Sequence, residues 1–247
     1  EGGLRWVPGE RVTLAGKVGA KVGVDTAVFD AGGGQQDVAD DTELRDARLY
    51  ASGYWESFWR VYYKLELGLV GRDFLWNETY LRWESVPVLD RLTIGYLDTL
   101  VSMENAGAFG ARMLMEKASP VQAFAPATRT GLESSRAWAG QRLTTALGVS
   151  SAGQNDPFES GDATDDLLRI SGRVTGLPYR REVDAAPSLL HLGTSFSYVL
   201  AEESSIQYRA RPESHLAPML VDTGEMDAEK AITGGLEAAY VLGPFSV

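Results

Sequence analysis

The sequence predicts an all-β fold, a transmembrane antiparallel meander β-barrel. Three observations predict it. Apolar and polar residues alternate with a period of two in segment after segment. No apolar run approaches the ~20 residues that a membrane helix needs. Short turn signals also take turns with long polar stretches. Lipid cannot satisfy unpaired backbone groups, so a membrane chain without apolar helices must close its strands on one another.

The alternation starts early. Over residues 12–25, Val12, Leu14, Val18, Ala20, Val22 and Val24 fall on one side, and Thr13, Lys17, Lys21 and Asp25 on the other. Successive strand side chains point to opposite faces, so this segment has one apolar and one charged face. Ala47 and Leu49 oppose Asp46, Arg48 and Tyr50 in the same way. Trp59, Val61, Tyr63, Leu65 and Leu67 oppose Arg60, Tyr62, Lys64 and Glu66. Further on, Leu190, Leu192, Thr194, Phe196 and Tyr198 share a face. Ile206, Tyr208 and Ala210 oppose Gln207, Arg209 and Arg211.

Ser85-Val86-Pro87 and Gly176-Leu177-Pro178 are compact turn signals. Residues 30–43 and 153–166 are long, polar and rich in aspartate. Short turns at one end and long loops at the other match an outer-membrane barrel. Residues 98–128 lack alternation, and the helix-favouring Met, Glu, Arg and Lys within them predict a short helix inside a long loop. A loop of that length in a folded domain points to function. There is no linker and no fixed repeat, so residues 1–247 read as one barrel domain.

Composition excludes several classes. The 247 residues include no cysteine, which removes disulfide and thiol chemistry. The two histidines, His191 and His215, sit in different segments without partners at metal spacing, and both read as structural. A net charge of -11 argues against a nucleic-acid partner. No catalytic Ser-His-Asp spacing, phosphate-binding loop or dinucleotide fingerprint is present, so the expectation is no enzyme, no cofactor and no metal. The chain opens Glu1-Gly2-Gly3, with neither a basic start nor an apolar run, which is the pattern of a mature chain or a fragment.

The later segments carry a resemblance. Tyr208-Arg209-Ala210-Arg211-Pro212-Glu213-Ser214-His215-Leu216-Ala217 resembles the Arg-x-Arg-Pro-Glu stretch of the phosphate- and polyphosphate-selective porins, the porin O/P family. It is followed in order by Leu220-Val221-Asp222-Thr223-Gly224, Gly235-Leu236-Glu237-Ala238-Ala239 and Gly243-Pro244-Phe245-Ser246. Arg45-Asp46-Ala47-Arg48-Leu49 is similar to a family strand, and Met115-Glu116-Lys117 to part of the family's long third loop. Leu190-His191-Leu192-Gly193 fits as well.

The resemblance covers nearly the whole chain, most strongly after Leu189. It implies a homotrimer of sixteen-stranded barrels in the bacterial outer membrane, contacting its lipids and lipopolysaccharide. It also implies a third loop folded into the lumen and arginines lining a path for small anions such as phosphate or polyphosphate. At about 20 residues per strand and loop, this length covers roughly eleven or twelve strands. The expectation is therefore a barrel incomplete at its C-terminus, with residues 98–128 as the pore-constricting loop.

Candidate residues follow. Arg209 and Arg211, two apart on a predicted strand, would stand about 7 Å apart on one face. Facing the lumen, they would form two steps of an anion ladder, since the guanidinium fork stays charged and holds oxyanions in pairs. The alternative is a solvent-facing pair balancing Glu213. Lys117 is the candidate that the resemblance implies for the constriction, where a lysine replaces part of an ion's hydration. The alternative is a loop lysine paired with Glu116 or Glu104. Arg112 and Arg129 flank the same path. Lys17, Lys21, Arg48, Arg60 and Lys64, on polar strand faces, are candidates for general lumen lining.

Trp55, Trp59, Trp76, Trp83, Tyr62, Tyr63 and Tyr80 read as interfacial girdle residues rather than a carbohydrate platform. Asp40-Asp41 and Asp165-Asp166 read as solvated loop carboxylates, with calcium binding as the alternative. Three functions stand in order: an anion-preferring porin, a weakly selective general diffusion porin, and a soluble or surface β-protein that binds a ligand. The acidic loops weigh towards the second. The facing of the apolar side chains decides the third, with Val18, Val22, Val61, Leu65 and Leu192 expected outward.

Overall fold

The structure is a computed structural model that describes residues 4–6, 13–29, 40–70, 75–107, 114, 116–125, 128–151, 168–183, 186–200, 205–212, 214–243 and 245–246. Seven strands come first: β1 (Leu4–Trp6), β2 (Thr13–Ala27), β3 (Asp41–Glu56), β4 (Arg60–Gly68), β5 (Leu75–Trp76), β6 (Thr79–Val86) and β7 (Asp90–Leu97). Two short helices follow, α1 (Met103–Ala106) and α2 (Ser119–Phe124). Then come β8 (Arg129–Trp138), β9 (Leu143–Ser151), β10 (Leu168–Val183) and β11 (Ala186–Leu200). The pieces β12 (Ser205–Ile206), β13 (Arg209–Ala210), β14 (Val221–Asp222) and β15 (Met226–Asp227) lead to β16 (Lys230–Leu242) and β17 (Phe245–Ser246).

One antiparallel sheet runs β1-β2-β3-β4-β6-β7-β8-β9-β10-β11-β16-β17, with β5 pairing β4 at its side. Twelve strands on one path agree with the expected eleven or twelve. Among the described residues no pairing joins β1 to β17. Every neighbour in the path is antiparallel, and connections alternate in length. Two to four residues separate β3 from β4, β6 from β7, β8 from β9, β10 from β11 and β16 from β17, while ten or more separate β2 from β3, β4 from β6, β7 from β8, β9 from β10 and β11 from β16. No helix is long and apolar enough to cross a membrane.

The polarity of the sheet is inverted relative to a soluble protein. Val18 is 82 % exposed and Val22 72 %, and Leu65 and Leu192 are exposed beside them, with Val61 half-buried. On β16, Ile232 and Leu236 are exposed. Most of the buried strand residues are instead polar, among them Asp25, Asp46, Glu66, Thr93, Arg169, Ser171, Ser188, Ser195 and Ser197, with Leu97 and Val199 as apolar exceptions. A two-layer soluble sheet buries its apolar face. This one turns that face outward and encloses its charges, as a membrane barrel does.

Three expectations change. The turn at Ser85-Val86-Pro87 is present, with Leu89 N–H donating to Val86 O at 3.2 Å. Gly176-Leu177-Pro178 is no turn. Strand β10 runs through it, and its pairing with β11 steps from Gly176↔Leu192 to Tyr179↔Leu190. Leu177 and Pro178 thus oppose His191 alone, a bulge that absorbs a residue with no N–H to donate. Residues 206–211 do not form a wall strand. β13 pairs only with β14, and β12 with β15, inside the long connection between β11 and β16. The one short helix expected in 98–128 is two, and neither holds Glu116 or Lys117. Pro120 in the first turn of α2 supplies the fixed φ that starts a helix there.

Candidate functional site

The long segment between β7 and β8 is held against the polar face of the sheet. Ser102 caps α1, its hydroxyl accepting from Glu104 N–H at 3.3 Å, and its own N–H donates to Ser195 Oγ on β11 at 3.4 Å. Asn105 is fully buried and donates to Thr99 O and Thr99 Oγ1 at 3.0 and 2.9 Å. Lys117 donates to Asn105 Oδ1, and Glu104 Oε2 accepts from Ala118 N–H at 2.9 Å. These contacts fold the segment on itself.

Its other anchor is on β3. The β2–β3 register shifts between Gly23↔Asp46 and Val24↔Leu44, which leaves Arg45 as the extra residue of a bulge. The bulge turns Arg45 to the polar face beside Asp46. There its Nη1 meets Asp25 Oδ2 at 2.7 Å and Glu116 Oε1 of the long segment. Two carboxylates therefore share one guanidinium, with all three side chains largely buried.

The connection between β11 and β16 joins this assembly. Arg211 N–H donates to Gln122 Oε1 at 3.4 Å, and Ser119 Oγ donates to Arg211 O at 3.1 Å. The rings of Phe124 and Tyr208 pack at 5.0 Å. His215 Nδ1 meets Glu43 Oε1 on β3. Both long segments thus reach the same end of β3.

On the wall below, cations and carboxylates interlock. Glu66 lies with its side chain 2 % exposed and accepts from Arg48 Nη1 at 2.7 Å, with Lys64 Nζ at 3.3 Å and Lys21 Nζ at 3.5 Å. Across the sheet, Glu237 Oε1 takes Arg173 Nη2 at 2.5 Å and His191 Nε2 at 2.9 Å. Between these networks a partly open cleft of about 200 Å³ is lined by Arg82, Glu133, Arg173, Glu78 and Asp98 among others. The face carries fixed charge of both signs, with the positive groups held in place by buried acids.

The expected residues distribute as follows. Lys21, Arg48 and Lys64 come together around Glu66. Arg60 pairs with Glu56 at 2.9 Å near the short-turn end, and Lys17 is exposed. Arg129 stands on the polar face at the start of β8, its Nη1 donating to Thr128 O at 2.9 Å. Arg209 pairs with Asp222 at 3.1 Å, and Arg211 donates to His215 O, both within the long connection. Arg112 lies outside the described residues. Tyr62 and Tyr80, expected in the girdle, share the Lys64 face by register, with Tyr62 packed on Tyr54 at 5.6 Å. Asp40 and Asp41 each cap a backbone N–H, of Phe29 and Thr42.

Arg82, Arg169 and Arg173 were not singled out from the sequence. The signal was there: Arg169, Ser171, Arg173 and Thr175 alternate with Leu168, Ile170 and Val174. The same period of two puts them on the polar face.

In comparison with known proteins, a family described as phosphate-selective porin O and P matches residues 17–247. No curated protein matches the chain.

Proposed function

This chain belongs to the phosphate-selective porin O and P family, and on that premise we propose that residues 98–128 narrow the pore of an anion-preferring porin in the bacterial outer membrane. The single observation that carries this reading is the double anchorage of the segment. Ser102 holds it to Ser195 on β11, and Glu116 holds it to Arg45 on β3. A segment tied to strands so far apart on one polar face crosses the space that the face encloses. The helix-poor, hydrogen-bonded form of the segment fits a rigid constriction rather than a free loop.

In this reading anions pass Arg209 and Arg211 at the mouth. They then meet the constriction near Lys117, Arg112 and Arg129, and travel on past Lys64, Arg48, Lys21, Lys17 and Arg60. Fixed charges in a narrow, partly desolvated passage act more strongly than in bulk water, where salt screens them. The apolar outer face serves lipid, lipopolysaccharide and the contacts of a homotrimer. Planar-bilayer reversal potentials in chloride and phosphate salts test the reading. Alanine at both Arg209 and Arg211 should move the potential towards cations. An unchanged potential in an inserted, folded variant would remove these arginines from the path.

A further inference from the structure

A cleft of about 590 Å³ opens where the short β3–β4 and β6–β7 connections lie side by side. Glu56, Arg60, Tyr62 and Glu84 line it from the strands, and Phe58, Trp59, Ser85 and Pro87 from the turns. Register brings them together. Glu56 faces Arg60, Tyr62 faces Tyr54 on one side and Arg82 on the other, and Glu84 stands two residues beyond Arg82. Strand β7 leaves the second of these turns at Asp90 and reaches the long inner segment after Leu97. That length of strand is about 23 Å at ~3.3 Å per residue, so the cleft is separate from the constriction proposed above.

The charges of the lining cancel in pairs. Arg60 Nη2 donates to both oxygens of Glu56 at 2.9 Å, and Arg91 Nε on β7 lies 3.2 Å from Glu84 Oε1. A paired lining offers an ion no net counter-charge. It does leave the outer lone pairs and N–H groups of these planar side chains available to hydroxyl groups, which both donate and accept.

The rings of the lining are open. Trp59 is 47 % exposed and Phe58 96 %, while Tyr62 is half-buried against Tyr54 with ring centres 5.6 Å apart. The Arg60 guanidinium stands 5.2 Å from the Tyr54 ring centre, so ring and ion pair steady each other. An aromatic face, negative at its centre, attracts the C–H groups of a ligand. A purely apolar ligand would strand the polar groups of Glu56 and Arg60, and a small ion has no face to stack. A sugar ring meets both demands, with C–H groups on its faces and hydroxyls around its edge. The volume falls within the roughly 300–1,000 Å³ of small-molecule sites.

We propose that this cleft binds neutral saccharides, with a sugar ring stacked on Trp59 and Tyr62 and its hydroxyls on Glu56, Arg60 and Glu84. The proposal goes beyond the anion reading, because it gives the same wall a site for a second, uncharged class of solute.

The test follows tryptophan emission of the full chain in lauryldimethylamine oxide micelles, a detergent without a sugar headgroup, titrated with maltotriose. The emission should change saturably, and polyethylene glycol of equal mass should leave it unchanged. Trp59→Phe should remove most of the change. Tyr62→Leu should raise the half-saturating concentration about five-fold, the loss expected for one aromatic contact. No saturable change in the unmodified protein, an equal change with polyethylene glycol, or an unshifted half-saturation in folded Tyr62→Leu would overturn the site. In planar bilayers maltotriose should also lower the chloride current over the same concentrations. Saturable binding without that block would uphold the site and count against this face as the wall of the pore. Reversal potentials judge the anion preference separately.

Discussion

Arg45 reaches Asp25 at 2.7 Å only because a bulge in β3 turns it onto the polar face, and the same guanidinium also holds Glu116 of the long inner segment. One side chain thus couples the wall to the segment proposed to narrow the pore.

Replacing Arg45 with glutamine leaves two largely buried acids without their shared cation. Breaking a buried pair from one side costs about 3–5 kcal/mol. We expect a lower denaturation midpoint, and larger, noisier single-channel currents from the loosened segment. Conductance and denaturant unfolding in detergent check both. Unaltered currents would show that the segment does not rely on this anchor.

Glu66 has the opposite role, as one acid among three cations. Glu66→Gln removes the negative charge and leaves Arg48, Lys64 and Lys21 crowded together. The expected outcome is a loss of stability of several kcal/mol, since like charges then share a buried site. Among folded molecules the reversal potential should shift further towards anions. A shift towards cations would contradict the inward facing of this cluster.

Leu236, 91 % exposed on β16, tests the outer face. Leu236→Lys should destabilise the barrel by up to about 2–4 kcal/mol, the cost of a lysine near the bilayer midplane. Ala239→Lys, three residues on and on the polar side, should cost less. Folding into lipid vesicles, followed by gel mobility, compares them. Equal costs would mean that Leu236 does not face lipid.

Asp222 governs the long connection near the mouth. Its carboxylate accepts from Gly224 N–H at 2.8 Å, Gln207 Nε2 at 2.7 Å and Arg209, and the Gly224 bond first of all holds its pKa below the ordinary 3.8. A depressed folded pKa means that the stabilisation is fully present above the unfolded value and is lost as pH falls through the folded one. The protection of the Gly224 amide, its exchange relative to the intrinsic rate at each pH, should therefore hold down to about pH 4 and fall below the folded pKa. Asp222→Asn should abolish that dependence. Gly224 sits at φ 67°, so Gly224→Ala should loosen the same turn by about 1 kcal/mol.

The local pattern determined much. Side chains two apart share a face of any strand, so the exposed apolar face of Val18, Val22, Leu65 and Leu192 and the shared polar face of Lys21, Arg48 and Lys64 were legible before any pairing was known. Proline at 87 marked a real turn by the same local logic. Family membership was legible because the order of short motifs runs along the chain.

Tertiary structure decided what depends on partners distant in sequence. Proline at 178 carries the same local signal as Pro87, yet it lies in a bulge, because pairing with β11 continues before and after it, at Gly176↔Leu192 and Tyr179↔Leu190, and outweighs one lost N–H. Arg209 and Arg211 show the spacing of a wall strand, but the chain there pairs with 221–222 and docks on α2, contacts that no period of two encodes. Most of all, alternation told which arginines share the polar face but not which of them meet an acid. Arg48 and Arg169 look alike along the chain. One lies against Glu66 and the other beside Arg129 and Ser150, because register across several strands sets which charges meet.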